Sequence, residues 1–247
     1  MSDTDSSIFH NAAEFSRHND DVFGRIARRY DKLCDVFSCG IHRLWKRRVA
    51  KIIAKEEWDT LLDGATGTGD IILRVLGNKS IQERTVIASD VSLKMLTIAK
   101  QRLGHFHESV SLRQLDAESM PSIASDSIDA YSISLGLKIC NRRLALLEAM
   151  RVLKPNGRII ILEASNIRWP LLHEAYLTYM SICMPALGWL ATGGDASAYK
   201  YLLQGILDFP TAEDLVDELA NYGFEDIKFE RLSLGIVAIH TARKPNS

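Results

Sequence analysis

The chain has 247 residues, 47% of them hydrophobic and 25% charged, with 30 basic against 31 acidic side chains and a formal net charge of -1. This composition is typical of a globular protein with a buried core, and the length suits one α/β domain with additions. The balanced charge argues against a large polyanionic partner such as nucleic acid. The four cysteines, Cys34, Cys39, Cys140 and Cys183, form no C-x-x-C pair. They predict reduced thiols in a cytoplasmic protein, with no metal site.

The N-terminal region predicts a short tail followed by two helices. Residues 1–20 are polar, acidic and rich in serine, without the basic start and apolar core of a signal peptide, and we expect them to be disordered. In segments 20–33 and 41–54, apolar residues recur every three or four positions, the spacing typical of amphipathic helices. The later apolar stretch 177–193 contains Pro185 and is shorter than the roughly 20 residues that a membrane-spanning helix needs.

Strand and helix signals alternate from residue 60 to residue 165, which favours a parallel sheet with helices on both faces. Strands are predicted at 60–63, 85–90, 110–116, 127–137 and 157–165, and helices at 70–78, 93–103, 142–157 and 211–224. Two final strands, 225–233 and 235–244, are joined by a turn at Leu234–Gly235. They must pair antiparallel, because a parallel crossover needs about a dozen residues or more. The predicted fold class is therefore α/β, a Rossmann-like, seven-stranded, mostly parallel sheet with a terminal antiparallel hairpin.

The stretch LLDGATGTGD (61–70) joins the first predicted strand to a helix through three closely spaced glycines. It is not a Walker A loop, because Gly69 is followed by Asp70 and not by Lys and Ser or Thr. It also departs from the dinucleotide fingerprint G-x-G-x-x-G, since its glycines fall as G-x-x-G-x-G. We expect the carboxylate of Asp70, at the start of the helix, to repel a pyrophosphate and to suit a positively charged ligand.

These features fit S-adenosylmethionine, a sulfonium with an amino acid tail and no phosphate. Asp63 ends the first strand and is expected to orient the turn or the ligand's ammonium group, while Gly67 lets the backbone approach the ligand. Asp90 ends the second strand, where a carboxylate can accept both ribose hydroxyls, although that feature alone would suit NAD equally well. Asp116 and Ala117, at the end of the third strand, are expected to read the adenine edge.

Eight motifs follow one another along the chain. They are YDKLCDVFSCGIHRLWKRR (30–48), DGATGTGD, SDVSLKML, DAESMP, ISLGLK, RVLKPNGRIIILEAS, DASAYKYLLQGILDFP and GIVAIHTARKP. In this order they resemble the motifs of the ubiquinone/menaquinone biosynthesis C-methyltransferases, a family with the class I methyltransferase fold. The resemblance covers nearly the whole chain from residue 22 onward.

The resemblance implies one methyltransferase domain at 21–247, in which 21–58 form a helical lid and a helical insertion at 166–208 covers the substrate. It implies that Thr68 lies on the methyl donor and that Ser134 closes the site from the fourth strand. The full donor-binding set is Asp63, Gly64, Ala65, Gly67, Thr68, Gly69, Asp90, Val91, Asp116, Ala117 and Ser134.

The acceptor half departs from the family pattern. The family has an arginine after the fourth strand, as the partner of a ring oxygen, where this chain has Lys138, and an asparagine where it has Ile139. Cys34 stands where the family usually has asparagine. A lysine keeps the charge but can hold only one oxygen, and in a dry pocket it is also a plausible base. These changes suit a relative that methylates a different lipophilic ring, such as a hydroxyquinolone.

Further acceptor-side residues come from the same resemblance, which implies a hydroxylated ring with a long isoprenoid tail. Tyr30 is the second catalytic candidate, beside Lys138. The expected substrate contacts are Tyr179, Asp195, Tyr199, Tyr201 and His240, and the expected apolar wall also includes Trp169, Tyr176, Met180, Met184 and Trp189. His42 is interpreted as a packing residue, and 46–48 (Lys-Arg-Arg) as a solvated helix face that could also touch anionic lipid.

Three hypotheses follow. The first is a S-adenosylmethionine-dependent C-methyltransferase acting on a quinone-type ring with a lipophilic tail. The second is the same fold methylating carbon, oxygen or nitrogen of another specialised metabolite, and the third is a non-catalytic binding subunit or a nicotinamide oxidoreductase. The expected partner is a lipophilic aromatic small molecule, with no nucleic acid and at most peripheral membrane contact at the inner face. A homodimer is left open.

Overall fold

The computed structural model of the protein describes residues 30–55, 57–77, 84–192 and 197–246. The predicted tail at 1–20 lies outside the described residues, as does most of the first predicted helix. The described helices are α1 (Tyr30–Ser38), α2 (His42–Lys55), α3 (Asp70–Leu76), α4 (Leu93–Leu103), α5 (Arg142–Val152), α6 (Pro170–Thr192), α7 (Ser197–Leu207) and α8 (Ala212–Asn221). The described strands are β1 (Thr60–Asp63), β2 (Thr85–Asp90), β3 (Val110–Gln114), β4 (Ile128–Ser134), β5 (Leu153–Ala164), β6 (Glu225–Leu232) and β7 (Val237–Arg243).

The strands form one seven-stranded sheet in the order β3-β2-β1-β4-β5-β7-β6. The first five strands are parallel, with Asp63 of β1 paired to Ala88 of β2 and to Ser132 of β4. Strand β7 runs antiparallel to both β5 and β6. The predicted α/β fold with its terminal antiparallel hairpin is confirmed. Strand order reverses between β1 and β4, so a crevice opens at their carboxyl ends, where open α/β sheets bind ligands.

The central strands of the sheet are buried on both faces, as their near-continuous apolar runs require. Leu61 and Leu62 are neighbours on β1 and both are fully buried, one in the core on the α2–α3–α4 side and the other in the core on the α5–α8 side. On β7, Ile239 and Ala242 are divided between the two cores in the same way. The central strands are therefore fixed from both sides, and their ends present the site on a rigid frame.

Three predicted boundaries were wrong at their ends. Helix α1 continues to Ser38, beyond the predicted helix end at residue 33, and α5 ends at Val152 because β5 begins at Leu153. Strand β3 ends at Gln114, opposite Asp90 of β2, rather than at Asp116. Asp116 instead starts a local turn in which its carboxylate accepts the backbone N–H of Glu118. Such side-chain acceptors compete with sheet pairing, which is why aspartate often ends a strand.

The predicted helical insertion consists of α6 and α7, which pack against each other beyond β5. Met180, Met184 and Leu203 join Met95 of α4 in a small apolar cluster separate from the two sheet cores. Pro185 lies within α6. None of the described helices is both long and apolar enough to cross a bilayer.

Candidate active site

The turn after β1 brings its backbone close to β4. A Cβ atom on Gly64 would lie 2.1 Å from the hydroxyl oxygen of Tyr131, and a Cβ on Gly136 would lie 2.5 Å from the Cβ of Ala65. Gly67 has a left-handed backbone (φ +54), and apart from its chain neighbours none of the described residues has an atom within 4 Å of the position that its Cβ would occupy. The turn is therefore tightly packed at Gly64 and Ala65 and open at Gly67, as a ligand lying against the backbone requires.

Asp63 holds a buried, half-satisfied carboxyl group at the carboxyl end of β1. Its Oδ1 accepts a hydrogen bond from the Ser132 hydroxyl at 2.7 Å, whereas its Oδ2 is buried without a hydrogen-bond partner among the described residues. Burial raises the pKa of Asp63 to about 6, against the lowering effect of the Ser132 hydrogen bond. The Thr66 hydroxyl lies near enough to lower this pKa as well, but not in hydrogen-bonding geometry.

The ends of β2 and β3 lie against the same turn. Asp90 Oδ2 accepts the backbone N–H of Gly67 at 2.8 Å, and its Oδ1 accepts that of Ser92 at 2.9 Å. The carbonyl of Val91 accepts a hydrogen bond from the Gln114 side chain at 2.9 Å. An ionised carboxylate can accept about four hydrogen bonds, so the Asp90 carboxylate could also accept hydrogen bonds from the hydroxyls of a ribose.

The remaining predicted donor residues also come together here. The backbone N–H of Leu115 donates to the carbonyl of Asp90 at 3.3 Å, so the turn that starts at Asp116 begins beside the end of β2. Ala117 in that turn is buried. At the end of β4, the hydroxyl of Ser134 is buried without a hydrogen-bond partner among the residues the structure describes.

The charge expected at the start of α3 is neutralised, contrary to the sequence-based interpretation. Asp70 is buried and forms ion pairs with Lys46 at 3.1 Å and with Arg74 and Arg102 at 3.2 Å each. Burial acts to raise its pKa, but these cations hold the pKa of Asp70 below its ordinary value. The Asp70 carboxylate therefore serves to anchor α2 on α3, and its charge is not available to attract a cationic ligand.

Thr68 and Gly69 complete the turn. The Thr68 hydroxyl accepts a hydrogen bond from Arg102 at 2.7 Å and the residue is buried, so its side chain contributes to the Asp70 cluster. Gly69 precedes the first residue of α3, and its backbone N–H donates to the carbonyl of Thr66 at 2.9 Å.

The interpretation of segment 46–48 as a solvated face was wrong in part, because Lys46 is buried and Arg48 pairs with Glu230 at 2.6 Å.

A cavity of about 350 Å³ lies between α1, α2, α6, α7 and the ends of β5 and β7. Most of its walls are apolar, including Phe37, Trp45, Met180 and Leu202. Leu135 and Lys138 also line it, and they follow Ser134 directly in the chain. The turn at residues 64–69, called the donor turn below, packs against Gly136, and Leu135 and Lys138 on either side of that glycine line the cavity. One short segment at the end of β4 therefore joins the donor turn to the cavity.

Lys138 and Glu163 are two charged residues of the cavity wall, and they form an ion pair. The Nζ of Lys138 lies 3.1 Å from Oε1 of Glu163, and both side chains are almost completely buried. The Nζ also donates to the carbonyl of Leu135. Glu163 in turn accepts the backbone N–H groups of Lys138 at 3.0 Å and of Ala164 at 2.8 Å. The ion pair requires the ammonium form of Lys138, and two of its three N–H bonds are used.

The other predicted acceptor residues are only partly brought together. Tyr176 and Tyr179 line the cavity. Tyr201 does not line it, and its hydroxyl donates to the carbonyl of Ile139 at 3.2 Å. His240 was a wrong choice, because β7 directs it to the other face of the sheet from Val237, where its Nε2 contacts the carbonyl of Ala212 at 2.9 Å. Asp195 and the side chains of Tyr30 and Tyr199 lie outside the described residues.

The predicted apolar wall of the cavity includes Tyr176, Met180 and Met184 but not the two tryptophans. Trp169 and Trp189 lie on α6 or just before it, and they are 63% and 56% exposed. They face solvent because Met180 and Met184 occupy the side of α6 that packs on α4 and the cavity.

The turn and its surroundings fit S-adenosylmethionine. Oδ2 of Asp63 and the hydroxyl of Ser134 are buried and have no hydrogen-bond partner in the part of the chain that the structure describes. They lie at the ends of neighbouring strands, where a polar ligand group would satisfy them. The open space above Gly67 and the carboxylate of Asp90 suit a nucleoside without a phosphate group.

Comparison with known proteins identifies the family. The sequence model of the ubiE/COQ5 methyltransferase family matches residues 12–244. The chain belongs to the ubiE/COQ5 methyltransferase family. This membership makes it a methyltransferase that uses S-adenosylmethionine and confirms the resemblance seen in the motifs.

Individual relatives agree over most of their length. The chain is 38% identical over 226 residues to the ubiquinone/menaquinone biosynthesis C-methyltransferase UbiE of Cereibacter sphaeroides, covering 90% of this chain and 89% of that protein. It is 38% identical over 227 residues to the protein of the same name from Methylococcus capsulatus, covering 90% of each.

Solved structures share the fold at low sequence identity. A SAM-dependent methyltransferase from Thermotoga maritima, described as a possible histamine N-methyltransferase, aligns with a TM-score of 0.65 and 19% identity over 91% of this chain and 98% of that one. The geranyl diphosphate C-methyltransferase of Streptomyces coelicolor aligns with a TM-score of 0.54 and 11% identity, over 75% of this chain and 72% of that chain. These likenesses support the fold alone.

Sequence reasoning missed three residues of this methyltransferase site. Ser132, which donates a hydrogen bond to Asp63, lies two residues before Ser134 on the same strand, a spacing that puts both on one face. Glu163 is a single carboxylate at the end of the apolar run of β5, and its isolation was a usable signal. Lys46 had no local signal, because its partner Asp70 is distant in the chain.

We expect Gly64→Ala to abolish measurable binding of S-adenosylhomocysteine and to lower the free energy of unfolding by about 1–3 kcal/mol, since the new Cβ would overlap the side chain of Tyr131, which is almost completely buried. Calorimetric titration and chemical denaturation measure the two effects. Gly104→Ala is the matched control, because the described residues other than its chain neighbours place no atom within 4 Å of the added Cβ. Retention of wild-type affinity by Gly64→Ala would contradict the described turn.

We expect S-adenosylhomocysteine to bind about tenfold more weakly at pH 5 than at pH 7.5. The raised pKa of Asp63, about 6, means that its carboxyl group becomes protonated and neutral as the pH falls through this value, and it then loses its attraction for the ligand's ammonium group. Calorimetry at both pH values tests this expectation. The Asp63→Asn variant should bind weakly at both, and an equal pH dependence in that variant would assign the effect to another group.

Proposed function

We propose that the protein transfers the methyl group of S-adenosylmethionine to a ring carbon of a hydroxylated, quinol-type aromatic ring that carries a lipophilic tail. The observation that carries this proposal is the buried Lys138–Glu163 ion pair in the wall of a largely apolar cavity that the end of β4 joins to the donor turn. A largely apolar cavity with a few placed polar groups suits a lipophilic molecule that has one polar end.

The size and walls of the cavity support a ring with part of its tail. A volume of about 350 Å³ lies in the lower part of the usual range for small-molecule sites. Phe37 and Tyr176 offer aromatic surface for a ring, and Met180, Met184 and Ile206 offer flexible or branched apolar surface for an isoprenoid chain.

The chemistry needs little beyond alignment and charge stabilisation. The bound donor supplies an activated methyl group on a sulfonium. The chain's own residues must hold the ring carbon in line with that methyl group, exclude water and stabilise the negative charge that develops on the ring oxygen. Residues 134–138 connect the donor turn to the cavity wall, so the two substrates would be aligned by backbone that β4 fixes.

Of the two roles considered for Lys138, the geometry supports oxyanion stabilisation over general base. The ammonium group donates to Leu135 and Glu163 and has one N–H left, with no partner for it among the described residues. A single remaining donor can hold one ring oxygen. The buried carboxylate of Glu163 offsets the cost of keeping this cation in an apolar wall.

The names of the relatives support carbon as the methyl acceptor. Both relatives described above are named as C-methyltransferases of ubiquinone and menaquinone biosynthesis. The alternative acceptor, a specialised metabolite such as a hydroxyquinolone, is not favoured by these comparisons.

Peripheral contact with a lipid surface is part of the proposal. Leu171, Ile182 and Trp189 are exposed on α6, the helix whose other side carries Met180 and Met184 to the cavity. Such a face suits shallow insertion at a lipid–water boundary, where a tailed quinol is dissolved.

The decisive experiment supplies a ¹³C-methyl-labelled donor and an isoprenoid-substituted hydroquinone with an unsubstituted ring position. We expect a product whose label resonates as a ring-bound C-methyl group in the ¹³C NMR spectrum. The oxidised quinone should give no product, because it has no hydroxyl proton to lose and its ring carbon is not nucleophilic. An O-methyl product from the hydroquinone would overturn the proposal.

Replacing the Lys138 ammonium should slow the methyl transfer step without affecting donor binding. We expect kcat to fall by about 10²–10³-fold in the Lys138→Met, Glu163→Gln double variant, which avoids a buried carboxylate without its cation. The affinity for S-adenosylhomocysteine, measured by calorimetry, should remain within threefold of wild type. Lys138→Arg is the control for charge, and it should retain activity within about tenfold. Full turnover by the double variant would remove Lys138 from the mechanism.

A further inference from the structure

His42 was interpreted from the sequence as a packing residue, but its buried side chain lines the acceptor cavity. It is the first residue of α2 and is 4% exposed. Lys138 and Glu163 line the same cavity. The mechanism described so far places a cation at the ring oxygen but provides no group to take the hydroxyl proton.

The hydrogen bonds of Ser38 determine which ring nitrogen of His42 carries a proton. The Ser38 hydroxyl lies 2.6 Å from the carbonyl oxygen of Cys34 and 2.8 Å from Nδ1 of His42. Two oxygens at 2.6 Å require a proton between them, so the hydroxyl donates to the carbonyl. Its oxygen must then accept from Nδ1–H, and it also accepts the backbone N–H of His42 at 3.3 Å.

This tautomer leaves a lone pair on Nε2. Among the residues that the structure describes, none forms a hydrogen bond with Nε2, and the His42 side chain belongs to the wall of the cavity. The arrangement is that of a neutral imidazole whose inner nitrogen is held by a hydroxyl and whose outer nitrogen is free to accept a proton.

The charges around His42 favour its neutral form before the reaction. Burial and the ammonium of Lys46 lower the pKa of His42, while Asp35, whose Oδ1 lies 3.8 Å from Nδ1, and the more distant Asp70 act in the opposite direction. Arg43 acts in the same direction as Lys46. His42 is therefore available as a base at neutral pH.

We propose that His42 is the general base that takes the ring hydroxyl proton of the acceptor through Nε2, with Ser38 as its positioning residue. This inference rests on the proposed function and names the group that activates the ring carbon. Sequence reasoning had interpreted His42 as packing, because the tautomer and the cavity are visible only in three dimensions.

The proton and electron balance is complete without a further reactant. The hydroxyl proton moves to Nε2, and the electron pair left on oxygen makes the ring carbon nucleophilic. The ring carbon then bonds to the methyl group while the sulfur–methyl bond breaks and leaves its electron pair on sulfur. The same ring carbon next loses its hydrogen as a proton to water, and the oxygen regains a proton from the His42 imidazolium. One proton is released to solvent per methyl group transferred.

The test compares kcat as a function of pH, at saturating donor, in the wild type, in His42→Gln and in the control His240→Gln. The control removes another buried imidazole, on the opposite face of the sheet from the cavity. We expect the kcat of the wild type to fall as the pH drops through a value below 6.5, the ordinary pKa of histidine. We expect His42→Gln to lose about 10²–10³-fold in kcat and to lose this acidic limb, and the control to keep it.

Chemical rescue separates a base from a structural residue. His42→Ala should regain activity when imidazole is added, in proportion to the neutral form of imidazole, and S-adenosylhomocysteine affinity should stay within threefold of wild type. Absence of rescue, together with a His42→Gln variant that retains the acidic limb, would overturn the proposal.

Two further readouts keep the outcomes distinct. If His42→Ala does not fold, the ¹⁵N shifts of the wild-type imidazole decide, because a protonated Nε2 at neutral pH would contradict the proposal and a protonated Nδ1 would support it. If the wild type methylates no hydroquinone on carbon yet binds S-adenosylhomocysteine, the proposed function has failed, and the assignment of His42 fails with it. A wild type that is active together with an unimpaired His42→Gln overturns only the assignment of His42.

Discussion

Both halves of the site depend on the carboxyl end of β4. Ser132 donates to Asp63 of the donor turn, Gly136 packs against Ala65 of the same turn, and Lys138 reaches the buried carboxylate of Glu163 in the cavity wall. These contacts lie within seven residues of chain. The strand that precedes them is buried on both faces, so a displacement of this segment would require the sheet itself to move. A rigid connection of this kind suits a reaction whose main requirement is alignment of two bound molecules.

The N-terminal helix α2 couples the donor turn to the acceptor cavity. His42 and Lys46 are four residues apart and therefore lie on the same side of the helix. Lys46 forms its ion pair with Asp70 at the start of α3, and His42 lines the cavity. Trp45, which also lines the cavity, donates to the Ser233 hydroxyl at 2.8 Å. The position of the imidazole is thus set by contacts to two different parts of the fold, one of which is the donor turn.

The sequence predicted the donor half better than the acceptor half, for a physical reason. A donor turn is local: Asp63, Gly64 and Gly67 lie within a few positions, and the ends of parallel strands bring Asp90 and Asp116 to the same edge of the sheet. The acceptor cavity combines segments that are far apart in the chain, so neither the Lys138–Glu163 pair nor the partnership of Lys46 with Asp70 could be deduced from spacing. Local charge also misled the interpretation, because Asp70 is compensated by cations that only the folded chain places beside it.

The pairing of charges explains how an ammonium and an imidazole can share one apolar cavity. Two cations in such a wall would repel each other strongly, but Glu163 balances Lys138, and a histidine that is neutral at rest adds no charge. When the imidazole takes a proton from a bound ring hydroxyl, a positive and a negative charge appear together, so the net charge of the cavity does not change. The phenolate then lies near the free N–H of Lys138, and the imidazolium lies with Asp35 3.8 Å from its inner nitrogen. Each new charge therefore meets a group of opposite sign that the fold already holds in place, and this preorganisation lowers the energy of the charge-separated state that precedes methyl transfer.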